Sequence, residues 1–187
     1  MSPETFCERW CDDEDEVLIA FPAQSVTGLS IPETSREFLT SAGLPDSAAP
    51  FLDFQAPEAG LLPDVSDLWN QDSAFRRYRI IGSNGSGDPV CLDEGENGLV
   101  VYLNHDLNFK PVLINSSITA LAESLLIYRQ FVRDCQEQNG EDAWLDCDIP
   151  EALLVRLNHD LARIDSPGIS PGCFWFMELE RLREGDS

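Results

Sequence analysis

The chain has 187 residues, 43% of them hydrophobic, which is enough for a sizeable core and argues against global disorder. Its 34 acidic residues outweigh 12 basic ones, for a formal net charge of −22. Such a field repels nucleic acid and anionic lipid and speeds encounter with basic partners; the plain alternative is that the charge only serves solubility.

The first sixteen residues, MSPETFCERWCDDEDE, lack the basic and apolar regions of a signal peptide. No apolar run reaches the length of a membrane span. A cytoplasmic protein is expected, with its six cysteines reduced and no structural disulfide. Cys7 and Cys11 stand four apart, but two thiolates alone do not make a zinc site, and no metal or cofactor is expected.

In chain order, residues 2–11 read as a short helix leading into the acidic run Asp12–Glu16, a solvated loop. Val17–Phe21 is a short apolar run closed by Pro22 and reads as a buried strand. In SIPETSREFLTSAGLP, Ser30 is placed to cap a helix with Pro32 in its first turn and Glu33 three residues on. Phe38, Leu39 and Ala42 form its apolar face, and Gly43 ends it. Residues 46–76, rich in Pro, Ala and Asp, read as loop, with an edge strand at Phe51–Phe54.

From 77 onward the pattern becomes β. Strands over 77–82, 90–93, 99–103 and 111–114 are separated by the turn clusters SNGSGDP and EGENG, and read as an antiparallel meander. Glycines 82, 85 and 87 are expected in a turn. Apolar residues at 118, 121, 125, 128, 132 and 135 then make one helical stripe, capped by Ser116 or Ser117 and ended near Gly140. A second helix follows in DIPEALLVRLNHDLARID, capped by Asp148, and FWFMELERLREG forms a last one. Strands before helices predict an α+β fold, with a central antiparallel or mixed sheet over about 77–114. One domain over 1–187 is expected, carrying an acidic N-terminal segment (1–16) and a helical extension (139–187).

The pentapeptide LNHDL occurs at 103–107 and 157–161 and carries both histidines. The first copy ends a strand, where Asn104 and Asp106 would point together and His105 oppositely. The second lies within a helix whose stripe is Leu153 or Leu154, Leu157, Leu161 and Ile164, which turns His159 to solvent. Unrelated geometries predict that the two do not share a site, and the repeat reads as coincidence. His105 with Asp88 or Asp106 remains the one hydrolase-like option. The glycines of GSNGSGDP are followed by an acid and a strand, not by the cation and helix that a phosphate loop needs. Phe174, Trp175 and Phe176 read as core packing rather than as an exposed anchor.

Several segments in succession carry a resemblance. They are Phe38-Leu39 with Gly43-Leu44-Pro45, Ile81-Gly82-Ser83, and Gly87-Asp88-Pro89-Val90-Cys91-Leu92-Asp93. Gly98, Val100-Val101-Tyr102, Asn104-His105-Asp106, Ile114-Asn115-Ser116-Ser117 and Tyr128-Arg129 continue it. Over roughly 33–132 the chain resembles the SUKH superfamily, and within it the fourth class of bacterial immunity proteins. The resemblance implies an α+β fold and a non-enzymatic cytoplasmic protein that neutralises a polymorphic toxin, typically a nuclease or nucleic-acid deaminase. A regulatory or scaffold module with the same fold is the alternative. The expected partner is a toxin with a basic surface, met by the turn acids Asp88, Asp93, Glu94 and Glu96.

Overall fold

A computed structural model describes residues 1–12 and 16–185. The helices are α1 (Pro3–Trp10), α2 (Ala23–Val26), α3 (Glu33–Ser41), α4 (Val65–Leu68), α5 (Ile118–Asn139), α6 (Glu151–Ile164) and α7 (Phe174–Glu184). The strands are β1 (Leu18–Ile19), β2 (Leu44–Pro45), β3 (Ser47–Ala48), β4 (Leu52–Phe54), β5 (Tyr78–Asn84), β6 (Pro89–Asp93), β7 (Leu99–Asn104) and β8 (Lys110–Asn115). The fold is α+β, as expected.

Strands β3 to β8 form one sheet in sequence order, and every pairing is antiparallel. The meander therefore starts at Ser47 and takes in the strand expected at Phe51–Phe54, ahead of the run expected from 77. Alternate side chains face opposite sides. On the inner face, Ile81, Val90, Leu92, Val100, Tyr102 and Ile114 join the main core. There they meet Phe6 and Trp10 of α1, Phe38 and Leu39 of α3, and the stripes of α5, α6 and α7. On the outer face, Tyr78, Cys91, Val101 and Leu103 form a smaller cluster with Val65 of α4 and Phe109. One face is thus thickly covered by helices, and the other is only partly roofed by the loop-rich segment before β5.

Local chemistry explains the main elements. Ser117 caps α5 by accepting from Ala120 N, and Gly140 ends it at φ 102°. The stripe of α6 is Leu153, Leu157 and Leu161, all buried. Trp175 is buried at the start of α7 and donates through Nε1 to Asn115 Oδ1 at 2.9 Å, so the FWF segment does pack on the core. Arg129 of α5 fastens α1: its guanidinium lies 4.5 Å from the Trp10 ring centroid, donates to the Arg9 carbonyl, and pairs with Asp12. Asp12 and Glu16, the described ends of the acidic run, pair with Arg129 and Arg133 of α5 while Asp12 stays exposed; residues 13–15 lie outside the described residues.

Other expectations need correction. The 17–21 run yields only a two-residue strand, half-buried and paired with Leu44–Pro45, because Val17 and Ala20 face solvent. Ser30 does not cap α3; its N–H donates to Glu94 Oε1, while Arg36 takes up the carbonyls of Leu29 and Ile31. Asp148 does not cap α6; it accepts from Asn139 Nδ2. Strand β4 is not at the edge but lies between β3 and β5. Gly82 belongs to β5, next to a bulge; a Cβ there would collide with the Asp53 carbonyl, so only glycine permits this close pairing with β4.

Candidate partner-binding surface

The turn acids are the first candidates, and the sheet places them at opposite ends of β6. Asp88, only 4% exposed, accepts from Asn84 Nδ2 at 3.0 Å and from the His105 backbone N–H at 2.9 Å, and lies 2.6 Å from His105 Nδ1. Asn84 Oδ1 returns bonds to the Ser86 and Asp88 N–H groups, so the turn is knitted from within. Asp93, 2% exposed, accepts from Gly95 N–H and is ion-paired to Arg77. Glu94 pairs with Arg79 at 2.6 Å and accepts from Ser30 N–H. Glu96 is the one of the four that is exposed. Three carboxylates on these turns are therefore spent on internal bonds, because an acid beside a backbone N–H or an arginine on a neighbouring strand is captured locally.

The histidines are apart in kind. His159 is exposed on α6. His105 opens a 3₁₀ turn, where Asn104 Oδ1 accepts from Leu107 N–H. The chain is no longer extended there, so strand alternation does not set the direction of His105. Its ring is held by buried Asp88 and stacks on Trp69, with centroids 6.1 Å apart. Among the described residues no serine or cysteine is hydrogen-bonded to the ring, no set of His, Cys, Asp or Glu is grouped to hold a metal ion, and all six cysteines are free thiols.

Trp69 leads to a different surface, which the sequence did not single out. It caps the C-terminal end of α4, with Leu68 before it. Both are exposed, Leu68 at 62% and Trp69 at 38%. They wall a cleft of about 520 Å³ on the outer side of the sheet, floored by Ile80, Gly82 and Ser83 of β5 and closed by Pro57, Pro63 and Pro89. Its charged lining residues are Asp53 and Glu58, and among the described residues no cationic side chain lines it. Trp69 also packs edge-on against Phe109, at 5.3 Å, so its ring is fixed on two sides. Two exposed apolar side chains, one of them aromatic, in a concave site rimmed by exposed carboxylates have the make-up of an interface hot spot.

A family model, that of the SUKH-4 immunity protein, matches residues 12–181. The chain belongs to the SUKH-4 immunity protein family. The match extends well past the 33–132 legible as a resemblance, and it takes in the segment 139–173. No curated protein and no solved structure matches the chain. Membership carries a toxin-immunity role, and among the described residues no helix is long and apolar enough to cross a membrane.

Within this SUKH-4 chain, that C-terminal part is joined to the sheet by buried polar bonds. Asp165 accepts from Ser116 N–H, Ser116 Oγ and Asn115 Nδ2, and Asn115 is itself bonded to Ser124 and Trp175. A second network links α5 to α7: Tyr128 donates to Glu178, which Arg181 also holds, and Trp144 donates to Tyr128 at 2.7 Å. Burial, with the Glu178 carboxylate beside it, pushes the Tyr128 phenol well above its ordinary range. These buried networks tie the C-terminal helices to one another and to the sheet.

Proposed function

We propose that this protein neutralises a cognate toxin by binding it, without chemistry of its own, in the cytoplasm. The toxin we infer is one that acts on nucleic acid, a nuclease or a deaminase. Such enzymes hold a polyanion and so carry a basic surface. The observation that carries the toxin-binding part is the family match over 12–181. The net charge of −22 supports the basic partner, because an acidic protein is steered to a cationic cleft and competes there with the nucleic acid it excludes.

The experiment is co-expression with the toxin encoded by the neighbouring gene, scored for survival, followed by binding kinetics across a salt series. Survival should depend on this chain. The association rate should fall steeply with salt, since exposed charges are screened beyond about 8–10 Å near physiological ionic strength, while the dissociation rate changes less. Survival with a salt-independent association rate would remove the electrostatic part. No rescue and no binding would remove the toxin reading.

A further inference from the structure

The cleft on the outer face is the concave surface of this molecule whose chemistry points to one kind of occupant. Its walls are apolar and aromatic, and its two charged lining residues are Asp53 and Glu58, both exposed and in no ion pair among the described residues. The other hollows differ. One by Phe109 is bordered by Arg77 and Lys110, and one by Phe51 contains Glu178, which is already held by Arg181. Exposed Asp67, one residue before Leu68, and exposed Asp106, beside the His105 ring that stacks on Trp69, add negative charge at the cleft's margin.

We propose, building on the toxin-binding reading above, that this cleft is the docking site for an arginine- or lysine-bearing segment of the toxin. The side chain's aliphatic stem lies against Trp69 and Leu68, and its cationic head reaches Asp53 and Glu58. A cation over a tryptophan face and a charge-assisted bond to a carboxylate act on the same side chain. The fixed ring of Trp69 lowers the cost of ordering it on binding. Asp88 enters this site indirectly: buried, it holds the His105 ring, and that ring backs Trp69. It is a positioning residue rather than a contact. A second copy of the chain does not suit the cleft, because two bodies of charge −22 repel and the rim would meet its own sign.

The test uses the full chain and the toxin domain encoded beside it, purified in an inactivated form, with affinity measured by calorimetry. The double variant Leu68→Arg with Glu58→Lys changes exposed side chains and should keep the wild-type melting profile. It should weaken binding ~100-fold, and Trp69→Ala should weaken it at least ~10-fold, as loss of a central anchor does. Val155→Arg, exposed on α6 on the other side of the sheet, should bind as wild type. A folded Leu68→Arg/Glu58→Lys protein with wild-type affinity would overturn the assignment. So would a change in the sedimentation of that variant on its own, which would make the cleft a contact between copies. Failure of the wild-type chain to bind the toxin domain would instead overturn the toxin reading, and this inference with it.

Discussion

Asp165 offers the sharpest test of how the C-terminal part is held. It is 5% exposed, accepts three hydrogen bonds at 2.6, 2.9 and 3.0 Å, and has no arginine or lysine partner among the described residues. A hydrogen bond to a charged acceptor contributes about 1.5–3 kcal/mol net, so three give an upper bound of about 5–9 kcal/mol. They share one network, and water can enter a site emptied of a side chain, so the sum overstates the loss. Asp165→Ala is expected to cost about 3–5 kcal/mol, since three buried neutral donors at about 1–3 kcal/mol each lose their acceptor and entering water restores part of that. Asp165→Asn is nearly isosteric. Its oxygen can serve Ser116 N–H and Asn115 Nδ2 while its amide donates to Ser116 Oγ, so the cost should be near 1 kcal/mol. The assay is urea unfolding followed by circular dichroism, with both variants and wild type at equal slope. Asp165→Ala within about 1 kcal/mol of wild type, or Asp165→Asn as damaging as alanine, would refute the account of this network.

Two further outcomes follow from the same geometry. Arg129→Ala removes the guanidinium over Trp10, the bond to the Arg9 carbonyl and the ion pair with Asp12, so α1 should loosen. We expect a loss of about 1–3 kcal/mol and faster limited proteolysis near the chain's start; unchanged cleavage would refute the anchoring role. Burial first of all lifts the phenols of Tyr78, Tyr102 and Tyr128 above their ordinary range, and the thiol of Cys135 to about 11. The unfolded chain then releases these protons first, so the folded state binds more protons above the ordinary values. Stability should be full below about pH 8.5 and decline as pH rises through about 9–10 and beyond. Urea midpoints taken from pH 7 to 11 check this, and a Tyr128→Phe variant should show a shallower alkaline decline.

Legibility in the sequence followed how local the determining physics is. Strands β5 to β8 and helix α5 were readable because period-2 and period-3.6 patterns, Gly/Asn turns and the Ser117 cap act within a few residues. Strand β4 was legible from the alternation of Phe51–Phe54, though not its inner place in the sheet; β3 was obscured because Ser47–Ala48 is too short to show alternation, and it exists because β4 offers it a pairing edge. The caps at Ser30 and Asp148 failed for a shared reason. Each helix starts later than its local pattern suggests, with Pro32 and Pro150 at the N-cap, so the expected capping side chain stands two residues too early. The cleft was illegible because its lining comes from four separate stretches, 53–58, 63–69, 80–83 and 87–89. Leu68-Trp69 in a loop-like region was the one signal, since a large aromatic residue outside any periodic apolar stripe asks what it touches.

The charge itself shows how the acidic excess becomes directional. At least nine of the eleven arginines are paired within the chain: Arg36 with Glu33, Arg77 with Asp93, Arg79 with Glu94, Arg129 and Arg133 with Asp12, Arg156 with Asp134, Arg163 with Asp160, Arg181 with Glu178 and Arg183 with Glu180. Most of these pairs are partly exposed and contribute little stability each. Their larger effect is on the field. Cations so paired cancel nearby carboxylates, and the acids without such a partner supply the net potential. Asp93 and Glu94 belong to the cancelled set, as residues beside arginines on β5 and its approach. Asp53, Glu58 and Asp67 belong to the other set: the segment from 46 to 75 contains no arginine or lysine, and of its acids Asp64 is the one paired, with Arg79, among the described residues. A search for a working acidic surface in such a chain should therefore begin where basic residues are missing from the sequence neighbourhood, and only then ask which of those acids face a cleft.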